Sequence, residues 1–494
     1  MIAALRTRGA LVAVALLASS STVAEEAPPC GPFESGPTRV VQLAADRTLR
    51  DPGVQAPVAA GPVAGPGAIV PLPGSGGTSG RDADEPGDGG DEQASEALLA
   101  LPKNAAGAIP TDFELGREAK IAQSFFSPVI CATVARVTGP PGARLDQLVT
   151  VVPETGLVVP NDVYASAAAE VTPLVLPAES SADPYVPLQY GLAISGVREA
   201  RSLGAGEDVR IALLDAAPER SHRDLGADRI EAVEMETKGP PSVHGTLMAG
   251  VIAATEGNGF GIAGLAPRAH VVSIPICQAS GAAGGRCTIY QMLQGFDRAY
   301  DAEAVLVNLS LTGPPNPLLA RGVARLEELG LVVVAAAGNE GREDRRYPAA
   351  YPSVIAVGAV DREGRPFAST NRGSWVELYA PGVEVLSTVP GSAFAFGNGT
   401  SLAAAHVTGS LAVLTGIVGD ARHARSALFQ AVNARAATGL PTMPALCDVL
   451  ARADHPCSRP KTAHAPQPGT AERIAASGGA PGTASRTGSG TARR

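Results

Sequence analysis

The run Gly397-Asn398-Gly399-Thr400-Ser401-Leu402-Ala403-Ala404-Ala405-His406-Val407-Thr408-Gly409 sets a serine on a tight Gly/Asn turn, directly ahead of an apolar stretch with helical spacing. At a helix start, free backbone N–H groups and the positive dipole end favour negative charge developing on the Ser401 hydroxyl. Serine is also an ordinary helix cap, so Ser401 alone carries no chemistry. Two other segments supply partners. Val209-Arg210-Ile211-Ala212-Leu213-Leu214-Asp215 is a short β-type run ending on a carboxylate, and open α/β sheets place their sites at such strand ends. His244-Gly245-Thr246-Leu247-Met248-Ala249-Gly250 reads as a helix opening on a histidine, with small residues that permit close backbone packing. Singly, Asp215 is equally a turn former and His244 a structural histidine. Together they supply what a serine nucleophile needs: an imidazole to take its proton and a carboxylate to fix the imidazole tautomer.

The elements around these residues follow from alternation. Apolar runs at Val209, Val271, Val305, Leu331 and Val354 alternate with helical patterns near His244, from Thr288 to Tyr300, from Leu318 to Leu329 and from Ser401 to Val418. Near-continuous apolar strands fit burial on both faces, which predicts an α/β fold with three layers and a mostly parallel central sheet. One strand run, Leu331-Val332-Val333-Val334-Ala335-Ala336-Ala337-Gly338-Asn339, ends on an amide that could donate to an oxyanion.

With Asp215, His244, Asn339 and Ser401 in that order, the chain resembles the subtilisin-like serine proteases (subtilases, peptidase family S8) over roughly residues 183–440. The resemblance implies that Ser401 is the nucleophile, His244 the general acid and base, Asp215 the orienting carboxylate, and Asn339 the side-chain donor of the oxyanion hole. Val305-Leu306-Val307-Asn308-Leu309-Ser310-Leu311-Thr312-Gly313 resembles the family segment that pairs with an extended substrate. It implies substrate contacts at Ser310, Leu311, Thr312 and Gly313, and at the strand end Ala336 to Gly338. The sequence departs from the family where Ala216 and Ala217 follow Asp215 in place of a hydroxyl residue and glycine, where Leu247 replaces a second histidine, and where Ala404 and Ala405 replace Ser-Pro. Ala216 and Ala217 motivate a rival reading, a catalytically inactive scaffold that binds peptides or a partner protein. A serine esterase is disfavoured, since the serine comes last and lacks the Gly-x-Ser-x-Gly elbow.

The chemistry needs no cofactor. Asp224 and Asn258 match a calcium site found in many subtilases, and carboxylate and amide oxygens suit that ion; both are equally good turn formers. Zinc motifs are missing.

Met1 to Ala24 has a positive start, a short apolar region and a small-residue end, the pattern of a signal peptide, and predicts a secreted or periplasmic protein. No later segment is apolar enough for a membrane span, and a net charge of −9 gives no sign of nucleic-acid binding. Residues 25–110 read as a Pro/Gly-rich, partly acidic, disordered linker, and residues 458–494 as a disordered tail. Between them, 111–182 reads as a small α+β region, with strands at Pro128–Val137 and Gly156–Tyr164 and a helix from Ala143 to Val152. Its end resembles that of a subtilase propeptide, which implies an inhibitor cut away between Tyr164 and Pro187. Six cysteines in a secreted chain point to disulfides. Cys277 with Cys287 and Cys447 with Cys457 are close in sequence, which leaves Cys30 for Cys131; sequence alone does not choose among the pairings. The second close pair bounds a C-terminal segment, 441–457.

Overall fold

The computed structural model describes residues 96–103, 110–153, 156–166, 170–174, 183–226, 228–237, 239–280, 284–436 and 439–457. The leader 1–24, residues 25–95 with Cys30, and the tail 458–494 lie outside the described residues.

The first part is a small antiparallel sheet. Its strands are β1 (Glu96–Pro102), a short β2 (Glu114–Leu115), β3 (Lys120–Ser127), β4 (Ala132–Thr138), β5 (Val149–Val151) and β6 (Leu157–Pro160), in the order β3-β4-β1-β6 with β2 and β5 paired apart. The central strand β1 lies inside the stretch expected to be disordered, so that expectation fails from Glu96 to Pro102. Its run Ala97-Leu98-Leu99-Ala100-Leu101 is apolar on both faces. Ala97, Leu99 and Leu101 pack with Val137, Leu148 and Val158 in a local core. Leu98 and Ala100 face the other way, into a core shared with the second part of the chain. The expected helix from Ala143 to Val152 is one turn, Leu145–Leu148, before β5. The strand expected from Pro128 begins only at Ala132, because Pro128–Cys131 form a turn with Cys131 at φ 55°. The run 156–164 breaks after Pro160, where the Asn316 side chain donates to the Pro160 carbonyl and to Asp162. The chain resumes as β7 (Val163–Ser166) and β8 (Glu170–Pro173).

The second part has the predicted parallel sheet. Strands β9 (Arg210–Asp215), β10 (Ile230–Ala232), β11 (His270–Pro275), β14 (Leu306–Leu309), β15 (Val332–Ala336), β16 (Val354–Val360) and β17 (Leu378–Pro381) lie in the order β10-β11-β9-β14-β15-β16-β17. Every pairing in it is parallel. Side chains alternate between two cores. Ile211, Leu213, Val332 and Val334 face the helices Val243–Ala253, Thr400–Val418 and Ala421–Ala436. Ala212, Leu214, Val333 and Ala335 face Ile289–Asp301 and Pro317–Glu328. The helix Thr400–Val418 alone among the described residues has the length and apolarity of a membrane span, but it is mostly buried inside the fold. The segment 441–457 is not separate: Leu446, Val449 and Leu450 of its helix Leu446–Arg452 join the first of these cores, and Cys447–Cys457 closes it.

Two small sheets complete the fold. The hairpin β12 (Cys277–Ser280) and β13 (Gly284–Thr288) takes β7 as its third strand. The hairpin β18 (Val385–Val389) and β19 (Ala393–Asn398) takes β8. The family-like run Ala380–Thr388 is therefore split between β17 and β18, by a turn with Glu384 at φ 50°. The Cys277–Cys287 disulfide is formed, and Cys131 is not a free thiol.

Candidate active site

From β9 the sheet grows in two directions, to β11 on one side and β14 on the other. Such a switch point leaves a crevice at the carboxyl ends of the strands. Asp215 is the last residue of β9. Ser310 follows β14, and Asn339 lies just past β15. His244 and Ser401 are each the second residue of a helix, Val243–Ala253 and Thr400–Val418. The predicted site residues are thus brought to one end of the sheet.

His244 is fully buried, and its Nδ1 lies 2.9 Å from Asp215 Oδ1 and 2.8 Å from Oδ2. The N–H is aimed at Oδ1, which also accepts the Ala216 N–H at 2.7 Å; Oδ2 has no hydrogen-bond donor. A hydroxyl residue at 216 could have served it, so the departure seen in the sequence has a structural counterpart. His244 Nε2 has no hydrogen-bond partner. The Ser401 hydroxyl donates instead to the Ser310 carbonyl at 3.4 Å.

Asn339 is held from behind. Its Oδ1 accepts the Thr400 N–H at 2.9 Å and the Thr400 hydroxyl at 3.0 Å, which leaves Nδ2 to donate forward. The Thr400 hydroxyl also accepts from the Gly338 N–H at 3.0 Å. Gly399, at φ 144°, makes the turn that starts the helix. Its missing side chain matters, since a Cβ there would lie 3.1 Å from Asn339 Nδ2. Sequence reasoning missed Thr400, and also Asn371. The Asn371 amide braces residues 337–342 through Ala337 O, Glu340 and the Arg342 N–H.

The segment expected to pair with substrate is paired with the chain itself. Ala165 and Thr312 exchange both backbone hydrogen bonds at 3.0 Å, while β7 pairs on its other side with β13. Residues 163–166 thus lie as a strand between two edges. Ser310 and Leu311 are buried beside them, and Gly313 touches Tyr164. Ser310 Oγ is turned inward, between the Asn308 amide and the Ser401 carbonyl. Ala336 is buried at the end of β15, and Gly338, at φ 103°, turns the chain toward Asn339.

Asp224 and Asn258 also meet, with the Asn258 amide donating to Asp224 Oδ1 at 2.8 Å. Asp183, which the sequence did not single out, accepts from the N–H groups of Gly257 and Gly259 in the same loop. Burial pushes the Asp224 carboxyl up to about 7, and nearby Asp183 adds to the shift. Asp183, Asp224 and Asn258 carry oxygens of the type a hard cation such as Ca²⁺ takes, and in this structure each of those oxygens accepts an N–H, from Gly257, Gly259, Asn258, Ile262 and Phe260. His406, by contrast, is structural: burial pushes it down to about 4, and its Nδ1 donates to Leu402 O.

Residues 206–442 match the subtilase family. The chain is 34% identical over 234 residues to a thermophilic serine proteinase of Bacillus sp. (strain AK1), covering 46% of this chain and 57% of that protein. It is 34% identical over 235 residues to subtilisin DY of Bacillus licheniformis, covering 46% of this chain and 83% of the relative. It is 37% identical over 225 residues to the major intracellular serine protease of Bacillus subtilis (strain 168), covering 42% and 69%. With the switch-point architecture and the geometry at Asp215, His244, Asn339 and Ser401, this likeness makes the chain a member of the subtilase family.

Proposed function

We propose that the protein is a secreted serine endopeptidase made as an autoinhibited proprotein. The observation that carries this reading is the strand Val163–Ser166, which lies between Thr312 and β13 in the manner of a bound peptide, two residues along from Ser310, whose carbonyl accepts from the Ser401 hydroxyl. An extended peptide held by backbone hydrogen bonds on both sides needs few particular side chains, as a proteinase cleft requires.

In the reaction, the Ser401 hydroxyl swings from Ser310 O to His244, gives its proton to Nε2 and attacks the peptide carbonyl. Asp215 keeps the imidazole in the right tautomer and stabilises the imidazolium. Asn339 Nδ2 and the Ser401 N–H receive the charge on the carbonyl oxygen. His244 then protonates the departing amine, and water cleaves the acyl-serine by the same steps in reverse. The module 96–166 is the inhibitor. Joined to the enzyme, it holds its strand at high effective concentration. In this reading the cut falls between Tyr164 and Pro187, and continuing the register of Ala165 with Thr312 would set it after Ala167. The leader pattern of Met1–Ala24 and the two described disulfides support release into an oxidising compartment. Asp183, Asp224 and Asn258 would hold a structural Ca²⁺, which supplies charge balance and order to the loop and takes no part in the chemistry. Chelation should then lower the Tm, and Asp224→Asn should remove that response.

Two observations favour the rival scaffold reading: Asp215 Oδ2 lacks a donor, and the Ser401 hydroxyl donates to Ser310 O rather than to His244. Fluorophosphonate labelling with N-terminal sequencing separates the two readings. A proteinase is labelled, begins at Ala168 after maturation, and loses both properties in Ser401→Ala. A scaffold stays unlabelled even with the module removed.

A further inference from the structure

Two strands from one short stretch of chain are held by different parts of the site. β7 pairs with Thr312, two residues past Ser310, and β8 pairs with β19, which ends at Asn398, three residues before Ser401. In the antiparallel register Glu170 stands opposite Asn398, Val171 opposite Gly397, Thr172 opposite Phe396 and Pro173 opposite Ala395. Just past the strand, the Leu174 N–H donates to the Phe394 carbonyl at 3.0 Å. Hydrogen-bonded and non-hydrogen-bonded pairs alternate along such a ladder. Thr172 and Phe396 are therefore a bonded pair, and Pro173, which has no N–H, falls where none is needed. Val171 and Leu174 pack against the core that holds Val385 and Phe394, whereas Thr172 and Pro173 are exposed.

With the cut after Ala167, β7 departs with the module while β8 stays on the enzyme's side. β8 is built as a part of the enzyme: it completes a three-stranded sheet and covers core. Eight residues, 175–182, join it to Asp183, which is itself held by the loop around Gly257 and Gly259. So short a tether keeps a strand at high effective concentration beside its edge. Only residues 168 and 169 separate that cut from Glu170, the first residue paired with β19. We propose that β8 remains on β19 in the matured enzyme and closes the leaving-group side of the cleft, so that the preferred bonds are those with one or two residues beyond the cut, near the carboxyl end of a peptide. The proposal rests on the proteinase reading and names its substrate class. A longer leaving group meets the position of Glu170 and has to displace β8, at the cost of its backbone hydrogen bonds and of the burial of Val171 and Leu174. Backbone pairing takes little account of side chains, so the restriction falls on the length of the leaving group and not on its sequence.

The test is a series of peptides with one common acyl half and a leaving group of one, two, four or six residues, assayed on the matured enzyme and on its Thr172→Pro form. Proline at 172 removes the N–H that faces the Phe396 carbonyl, from an exposed position, so it loosens β8 and leaves Ser401 and its partners alone. In the wild type, kcat/KM should fall by about tenfold or more between two and four residues. Thr172→Pro should recover about tenfold on the longer peptides and leave the shorter ones within about twofold. A form lacking residues 168–174 should recover at least as much. Rates that do not depend on leaving-group length, or the same dependence in Thr172→Pro, would overturn the proposal while leaving the proteinase reading intact. A second arm needs no catalysis. In the Ser401→Ala chain, cut between 167 and 170 at an introduced site for another protease, the Phe396 N–H should exchange with deuterium as slowly after the module is separated as before. An acceleration of about tenfold or more there would mean that β8 leaves with the module, and would overturn the proposal even in a protein unable to cleave peptides.

Discussion

Gly245 lies against the backbone of Ala216, so close that a Cβ on 245 would sit 2.0 Å from the Ala216 carbonyl oxygen. This contact couples the two elements that carry Asp215 and His244, because Ala216 follows Asp215 and Gly245 follows His244. Neither backbone can yield cheaply, since Ala216 also donates to Asp215 and residues around Gly245 are fully buried. Gly245→Ala should therefore push the histidine helix off Asp215 by about an ångström. A misplacement of that size costs about a hundredfold in turnover. A drop in kcat in protein with an unaltered circular dichroism spectrum would bear this out; activity within a few-fold of the wild type would refute it.

The brace behind Asn339 gives a graded prediction. Asn339→Leu removes the forward donor and should lower kcat by about 10²–10³ with KM little changed, a magnitude established on a member of this family. Thr400→Val keeps the donor but removes the hydroxyl that joins Gly338 N–H to Asn339 Oδ1. The amide then loses one of its two anchors, and kcat should fall by about tenfold. Steady-state kinetics on both variants decide it: equal losses would mean that Thr400 does more than orient Asn339.

Much of this site was legible in the sequence, because its residues stand at abrupt changes of pattern. Asp215 closes an apolar run, Asn339 follows another, and His244 and Ser401 open helices. The first module was harder to read for a definite reason. The strand Glu96–Pro102 is short and follows Gly/Pro-rich chain, so composition over a long window masked a strand whose partners are far off in sequence. Tyr164 looked like the end of a strand and gave no sign of being a pocket's occupant, since the pocket belongs to Gly313 and Pro314. Asp183 escaped for the same reason: what marks it is the distant loop around Gly257 and Gly259.

Asp297 makes docking of the module depend on pH. Its Oδ1 accepts from the Ser127 hydroxyl at 2.7 Å and the Val129 N–H at 3.1 Å, both in the module. Burial pushes the carboxyl up to about 7; those two hydrogen bonds and Arg298 oppose the shift, and Asp301 adds to it. When the module leaves, Asp297 returns toward water and an ordinary carboxylate value. The docked state therefore binds a proton that the free state releases. Docking strengthens as pH falls below about 7 and weakens as it rises through that value. Inhibition by the cleaved module should be about tenfold tighter at pH 6 than at pH 8. Asp297→Asn keeps the acceptor and loses the titration, so it should flatten this dependence; an unchanged slope in that variant would assign the effect to another group.

The Cys277–Cys287 disulfide joins directly opposed residues of the hairpin whose second strand, β13, pairs with β7. That strand is one of the two edges that hold Val163–Ser166; the other, at Thr312, is anchored in the body of the fold through β14. Cutting the staple leaves Asp215, His244, Asn339 and Ser401 where they are and frees only the hairpin edge. Cys277→Ala combined with Cys287→Ala should raise KM for peptides spanning the residues bound like Val163–Ser166 by about tenfold, with kcat changed little. Short ester substrates that do not reach the hairpin should be hydrolysed as by the wild type. This pattern separates a positioning role for the disulfide from a global one, in which kcat and thermal stability would fall together and ester hydrolysis with them.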